Sequence, residues 1–266
     1  MRFRNLQPRK LCTGLIYACL AFLASPAIAD EGAGRPSSGA AKGFAVVELF
    51  TSQGCSSCPP ADATLRQIVE SAAHAEFPVY ALSFHVDYWN RLGWTDPYSD
   101  AAYSDRQRWY ASTRKSTRVY TPQMVVGGTE EFNGSNRLKA HQAIARSFER
   151  PSTAGVALTA RHNASKRRVE VSYQLDGKFD DKLLNIAIIQ NAVANVVPSG
   201  ENAGRKLSHS HVVCAFKTLS IEKAQGTTGL ALPVDFSMKS SQVIGYIQDP
   251  KTLEITGASA VDLAVD

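Results

Sequence analysis

Val46-Val47-Glu48-Leu49-Phe50-Thr51-Ser52-Gln53-Gly54-Cys55-Ser56-Ser57-Cys58-Pro59-Pro60-Ala61-Asp62 is the stretch on which the reading of the whole chain turns. Its first half, rich in Val and Phe, reads as a buried strand. Gln53-Gly54 breaks that strand, and two cysteines follow three positions apart. Pro59 and Pro60 then stand where a helix can begin, because the first helical N–H groups have no intrahelical partner for proline to remove. Asp62 adds negative charge near the positive end of the helix dipole. Leu65, Ile68, Val69 and Ala72 recur at helical spacing. Cys55 and Cys58 are therefore expected between a core strand and a helix N-terminus, where backbone N–H groups and the dipole stabilise a thiolate.

A C-x-x-C pair in that context points to redox chemistry. Three other readings stay open. The pair can be half of a zinc site, although no second cysteine pair is present to complete it. It can be an inert bridge in a binding or scaffold protein. It can belong to a copper-handling protein, although no third ligand is evident.

Upstream, Arg2, Arg4, Arg9 and Lys10 precede an apolar run from Leu11 to Ala24, too short to span a bilayer comfortably. Ala27-Ile28-Ala29 has the small-x-small pattern of a cleavage site, so residues 1–29 read as a signal peptide cut between Ala29 and Asp30. The expected location is periplasmic or secreted, with no stable membrane insertion after cleavage. The segment holds four cations and no acid, so its loss takes the formal charge from +5 to +1. A nucleic-acid partner thereby loses its electrostatic support. Cys12 and Cys19 leave as well, and Cys55, Cys58 and Cys214 remain in an oxidising compartment. Residues 30–42, dominated by Gly, Ala, Ser and Pro, read as a flexible leader.

Two domains are expected beyond it, 43–151 and 152–266. In the first, Phe44–Thr51 and Val79–Val86 are strands flanking a helix from Pro59. Asp96-Pro97 reads as an N-cap with proline at the first helical position, opening a helix through Ala111. Arg106, Arg108, Arg114 and Lys115 read as its solvated face. A strand beginning at Pro122 and running to Val126, a Gly127-Gly128 turn and Thr129–Phe132 form a hairpin, and Ser135 or Asn136 caps a last helix, roughly Arg137 to Glu149. In the second, Gly155–Arg161, Arg168–Leu175, Leu183–Gln190, His211–Ser220, Gln242–Gln248 and Glu254–Ala258 read as strands of an antiparallel sandwich. His209 and His211 share a strand face by alternation, too few to define a metal site.

The first domain resembles the thioredoxin superfamily, with the cysteine pair at the start of its first helix and Thr121-Pro122 where that superfamily carries a cis-proline. Glu48 to Asp62, His85-Val86-Asp87-Tyr88-Trp89 and Gly200-Glu201-Asn202-Ala203-Gly204-Arg205 resemble more closely an exported family catalogued as domain of unknown function 1223. The fold implied is an α/β thioredoxin-like domain followed by an all-β sandwich-like domain. The resemblance implies that Cys55 is an exposed attacking thiolate and Cys58 a covered resolving thiol. It also implies that Pro122 lies against the pair, leaving the Thr121 backbone free for a substrate strand.

His85 and Asp87 leave the second strand at its C-terminal end, the edge where open α/β sheets build sites. There His85 can support a thiolate and Asp87 can accept the Cys58 proton. Trp89 and Trp94 read as packing for a lid, and Cys214 as a semi-buried free thiol without a catalytic part. The expected activity is thiol–disulfide exchange through a mixed disulfide, with a protein or small-molecule thiol or disulfide as partner and neither cofactor nor metal.

Overall fold

β1, Ala45–Thr51, is buried at all seven positions. Two-residue alternation sends Ala45, Val47 and Leu49 into one apolar cluster and Val46 and Phe50 into another. The computed structural model in which this is seen describes residues 43–234 and 236–263. The signal segment, its Ala29/Asp30 junction and the leader lie outside the described residues.

α1, Pro59–Ala75, follows the cysteine loop with proline at its first positions. It buries Ala61, Leu65 and Ile68 against β1 together with α3, Arg137–Phe148, whose Asn136 cap accepts from the Lys139 N–H. Between them come β2 (Val79–Val86), a 3₁₀ turn (Asp87–Leu92), β3 (Ser99–Asp100), α2 (Ala101–Thr113), β4 (Gln123–Val126) and β5 (Glu130–Asn133). The rest of the described chain is strand: β6 (Ala154–Asn163), β7 (Arg168–Gly177), β8 (Leu183–Val196), β9 (Lys206–Ser220), β10 (Gln225–Ala231), β11 (Ser241–Gln248) and β12 (Ile255–Asp262).

These strands correct the expected fold class. The thioredoxin-like α/β domain followed by a separate all-β sandwich does not form. Twelve strands against three α-helices make the described chain mostly β. One mixed sheet of nine strands runs β12-β11-β8-β9-β2-β1-β4-β5, with β3 beside β2. It crosses residue 152 without interruption. The physical reason is the edge of β2. β9 adds to it in parallel through Ser83 and Val212, which covers backbone groups that would otherwise stay unpaired. β8, fourteen residues long, and β9, fifteen, then pair antiparallel and carry the sheet onward.

One core cluster accordingly mixes both halves of the chain: Phe50 and Phe84 with Ile189, Val213 and Tyr246. A second sheet, β10-β7-β6, packs Val169, Val171 and Leu230 against Leu184, Ile186, Ile188 and Val243.

α2 corrects two further expectations. Its cap is Asp100, which accepts from the Ala102 N–H, and not Asp96. Arg106 is not solvated. It is 7% exposed and donates from Nε to Glu48 Oε1 at 2.8 Å. Glu48 lies on the same face of β1 as Val46 and Phe50, where Tyr246 donates to it at 2.7 Å and Tyr110 also reaches it. The Arg106 guanidinium stands against the rings of Phe84, Tyr110, Phe216 and Tyr246. Burial opposes its charge, the neighbouring Glu48 carboxylate outweighs that, and its pKa is raised.

Candidate disulfide site

Cys55 and Cys58 form a disulfide between the end of β1 and the start of α1, their Cα atoms 5.4 Å apart. Cys58 is the residue on which α1 opens: its carbonyl accepts from the N–H groups of Ala61 (2.8 Å) and Asp62 (3.1 Å). Two hydroxyls lie on the Cys55 sulfur, Thr121 Oγ1 at 3.3 Å and Ser57 Oγ at 3.4 Å. The Trp89 indole N–H donates to Thr121 Oγ1 at 2.8 Å, which orients it. The Thr121–Pro122 peptide is cis, and the buried Pro122 accepts from the Gly134 N–H through its carbonyl.

Residues 197–205, between β8 and β9, cover the pair. Their neck closes on itself, Val197 N–H to Arg205 O at 2.9 Å and Gly204 N–H to Val197 O at 2.8 Å. Gly200 and Gly204 take left-handed φ of 87° and 77°, which glycine adopts without steric cost. Asn202, fully buried, donates from Nδ2 to the carbonyls of Gln53 (2.8 Å) and Cys55 (2.9 Å). Glu201 Oε2 accepts from the Ser56 N–H at 2.9 Å, and Ser56 holds that carboxyl below its ordinary range. Gln53 and Asn195 exchange two amide hydrogen bonds of 2.7 Å. Cys55 and Cys58 are both 0% exposed. The exposed Cys55 expected by resemblance is therefore corrected: a loop from the far side of the chain sits on it.

Behind the pair lies a buried polar cluster. His85 Nδ1 is 2.8 Å from Asp96 Oδ2, and the same oxygen accepts from the Gln53 N–H at 2.8 Å. Burial opposes the His85 charge, but the Asp96 carboxylate and its hydrogen bond, then the Asp62 carboxylate, outweigh it and raise the pKa. Burial likewise opposes the Asp96 charge, and His85 with the Gln53 and Tyr98 amides outweighs it, so that carboxyl lies below its ordinary range. The His209 ring packs edge-on to His85 with centroids 4.7 Å apart. Its Nδ1 is 3.5 Å from Asp62 Oδ2, and Thr51 donates to Asp62 Oδ1 at 2.9 Å. His85 Nε2 and both His209 ring nitrogens are buried without hydrogen-bond partners.

Residues 46–248 match the family described as Protein of unknown function (DUF1223). The chain belongs to the DUF1223 family. Among solved structures it is similar to a protein of Agrobacterium tumefaciens from a structural-genomics programme, with 27% identity and a TM-score of 0.61 over 84% of this chain and 96% of that one. A domain of the outer membrane lipoprotein Omp28 from Porphyromonas gingivalis aligns at 9% identity and a TM-score of 0.28 over 42% of this chain and 96% of that one. The search among curated proteins finds no match. Among the described residues, no helix is long and apolar enough to cross a membrane.

Within this DUF1223 chain, Cys55, Cys58 and Thr121 come together, with Pro122 beside them in sequence. His85 turns to Asp96, which holds the Gln53 N–H two residues before Cys55. Asp87 is tied elsewhere: its Oδ1 accepts from Ser104 Oγ at 2.5 Å, and Ser104 Oγ accepts from the Asp87 N–H, which fixes the 3₁₀ turn to α2. His211 has φ of 53°, and its Nδ1 meets the Ala81 carbonyl at 3.1 Å, away from the His209–Asp62 contact. Among the described residues, no three metal-ligating side chains converge.

From sequence, Asn195 carries no role, Gln53 none beyond ending a strand, Asn202 none beyond its place in a family motif, and Asp96 none beyond a cap. A usable signal existed only for Asn202, an amide set between two glycines in a motif already singled out.

Proposed function

We propose that the chain is a thiol–disulfide oxidoreductase working through Cys55 and Cys58. The observation that carries this reading is the asymmetry of the two sulfurs. Cys55 Sγ has two hydroxyl neighbours at the start of α1, which stabilise a thiolate at that atom. An inert bridge has no need of them. In the exchange, a substrate thiolate attacks Cys55 Sγ, a mixed disulfide forms, and the electron pair of the broken bridge goes to Cys58, which leaves as thiolate and takes a proton. A second substrate thiol then attacks the substrate sulfur and releases Cys55. The substrate loses two electrons and the protein gains them; the reverse sequence reduces a substrate disulfide. Access requires the loop 197–205 to lift, since both cysteines are buried in the bridged state.

The N-terminal pattern of cations, short apolar run and Ala27-Ile28-Ala29 supports an exported protein, an oxidising setting for this chemistry. Mass spectrometry of the mature chain should find an N-terminus near Asp30.

A static bridge is the second reading, and the complete burial of the pair favours it. The deciding experiment is trapping. Cys58→Ala, with Cys55 then a free thiolate, should accumulate a mixed disulfide on Cys55 with a linear test disulfide, whose other half leaves as a thiolate, and Cys55→Ala should accumulate none. If Cys58→Ala traps nothing and the unmutated protein neither oxidises a test dithiol nor reduces a test disulfide, the bridge is static.

A further inference from the structure

A cleft of about 460 Å³ opens between the first turns of α1 and the start of β9. That volume suits a small ligand. Arg66 from α1, Arg205 from the loop neck and Lys206 from the start of β9 line it, with Asp62 as the single carboxylate on its wall. Pro59, the residue after Cys58, lines it too, so the cleft borders the disulfide loop. Among the described residues none of the three cations is in an ion pair. Asp62, 5% exposed, is engaged by Thr51 and stands beside His209. Three cations outside any ion pair in one cleft contrast with a formal charge of +1 for residues 30–266.

Arg205 also touches the cover of the disulfide. Its Nη1 donates to Asn202 Oδ1 at 2.6 Å, and Asn202 is the residue that grips the Gln53 and Cys55 carbonyls. A carboxylate is a stronger partner for a guanidinium than a neutral amide oxygen. An anion in the cleft therefore competes with Asn202 for Arg205.

We propose that this cleft binds the carboxylates of a small anionic thiol or disulfide substrate through Arg66, Arg205 and Lys206, and that binding draws Arg205 from Asn202 and loosens the loop over Cys55. The substrate class rests on the proposed exchange activity; the anion site and its link to the loop do not. The bridged protein has no thiol in the pair to react, so binding is read on it directly by calorimetry.

3,3′-Dithiodipropionate should bind, at least tenfold tighter than the neutral bis(2-hydroxyethyl) disulfide, and more weakly as salt rises. The surface variants Arg66→Ala and Lys206→Ala should each weaken it several-fold with the melting temperature unchanged. Hydrogen exchange at the Ser56 amide, held by Glu201 in the closed loop, should quicken several-fold on binding. Equal affinity for the two disulfides, or no effect of either variant, overturns the site. Inorganic phosphate binding as tightly as the dicarboxylate overturns the substrate class. Unchanged exchange at Ser56 overturns the link to the loop. None of these readouts needs turnover, so a protein that binds but fails to exchange thiols would sink the proposed activity and the substrate class with it, and leave the anion site and its link to the loop standing.

Discussion

The side-chain amide of Asn202 lies 2.9 Å from the carbonyl of Cys55, a hydrogen bond across 147 residues of sequence. The same nitrogen serves Gln53, so one buried group satisfies two loop carbonyls. Asn202→Asp keeps the shape and removes the donor. It should destabilise the bridged protein by roughly 1–3 kcal/mol, the usual cost of leaving buried polar groups unpaired, as measured by denaturant unfolding. Reduction of the Cys55–Cys58 bridge by dithiothreitol should quicken several-fold, because the cover is no longer held. An unchanged reduction rate would mean that the loop does not control access.

His85 and Asp96 predict a pH dependence. The folded pKa of His85 is raised, so its contribution is fully present below the unfolded value near 6.5 and is lost as pH rises through the folded value. Asp96 has the opposite sense. Its contribution is present above the unfolded value near 3.9 and is lost as pH falls through the depressed folded value. Asp62, His209 and Tyr98 also face His85. Stability followed by thermal melting should therefore decline above neutrality. Asp96→Asn should flatten that decline and cost about 3–5 kcal/mol, since it leaves a buried histidine without its counter-charge. An Asp96→Asn profile parallel to that of the unmutated protein would contradict the pairing.

Glu48 and Arg106 form a buried ion pair that joins β1 to α2, and through Tyr246 and Gln248 to β11. Glu48→Leu alone strands the guanidinium, and Arg106→Met alone strands the carboxylate. Each should cost about 3–5 kcal/mol. The double variant removes both charges and should recover a large part of that loss. A double-mutant cycle on denaturant midpoints measures the coupling; strictly additive losses would argue against the pair.

The sequence shows clearly what is local. The apolar run of β1, the proline start of α1, the Gly127-Gly128 hairpin and a cap at Ser135 or Asn136, which falls on Asn136, each depend on neighbours within a few residues, and each forms. What depends on distant partners was not legible. Glu48 sits inside an apolar run, and nothing near it reveals Arg106, 58 residues on. Arg106 lies on a polar-looking helix whose charged face reads as solvated, although the opposing β-strands supply carboxylate and aromatic rings. Asp96-Pro97 carries a helix-start signal, but the buried His85 and the Gln53 amide claim its carboxylate. The largest miss has the same origin: the parallel contact of Ser83 with Val212 fuses the two halves into one sheet, and strand pairing over that distance leaves no periodic trace. The burial of Cys55 follows from it, because the fused sheet brings residues 197–205 over the disulfide.

Cys214 provides a check on the assignment of the nucleophile. It sits where the register of β9 against β8 shifts by one residue, and its Sγ meets Gln190 Oε1 at 3.4 Å. Burial pushes the thiol up to about 12, with the Gln190 contact opposing more weakly. At pH 8 the thiolate is then about one part in 10⁴, against roughly a quarter for an ordinary cysteine of pKa near 8.5. Only the thiolate attacks an alkylating agent. Native bridged protein should therefore take up iodoacetamide at Cys214 at least a hundredfold more slowly than unfolded protein at pH 8, and the rate should climb about tenfold per pH unit up to pH 11 while the fold holds. Mass spectrometry after timed quenching reads both. The exchange activity proposed for Cys55 and Cys58 should survive Cys214→Ala unchanged. Rapid labelling of Cys214 in the native protein, or loss of exchange in that variant, would move the reactive thiol from the α1 N-terminus to the β8–β9 bulge.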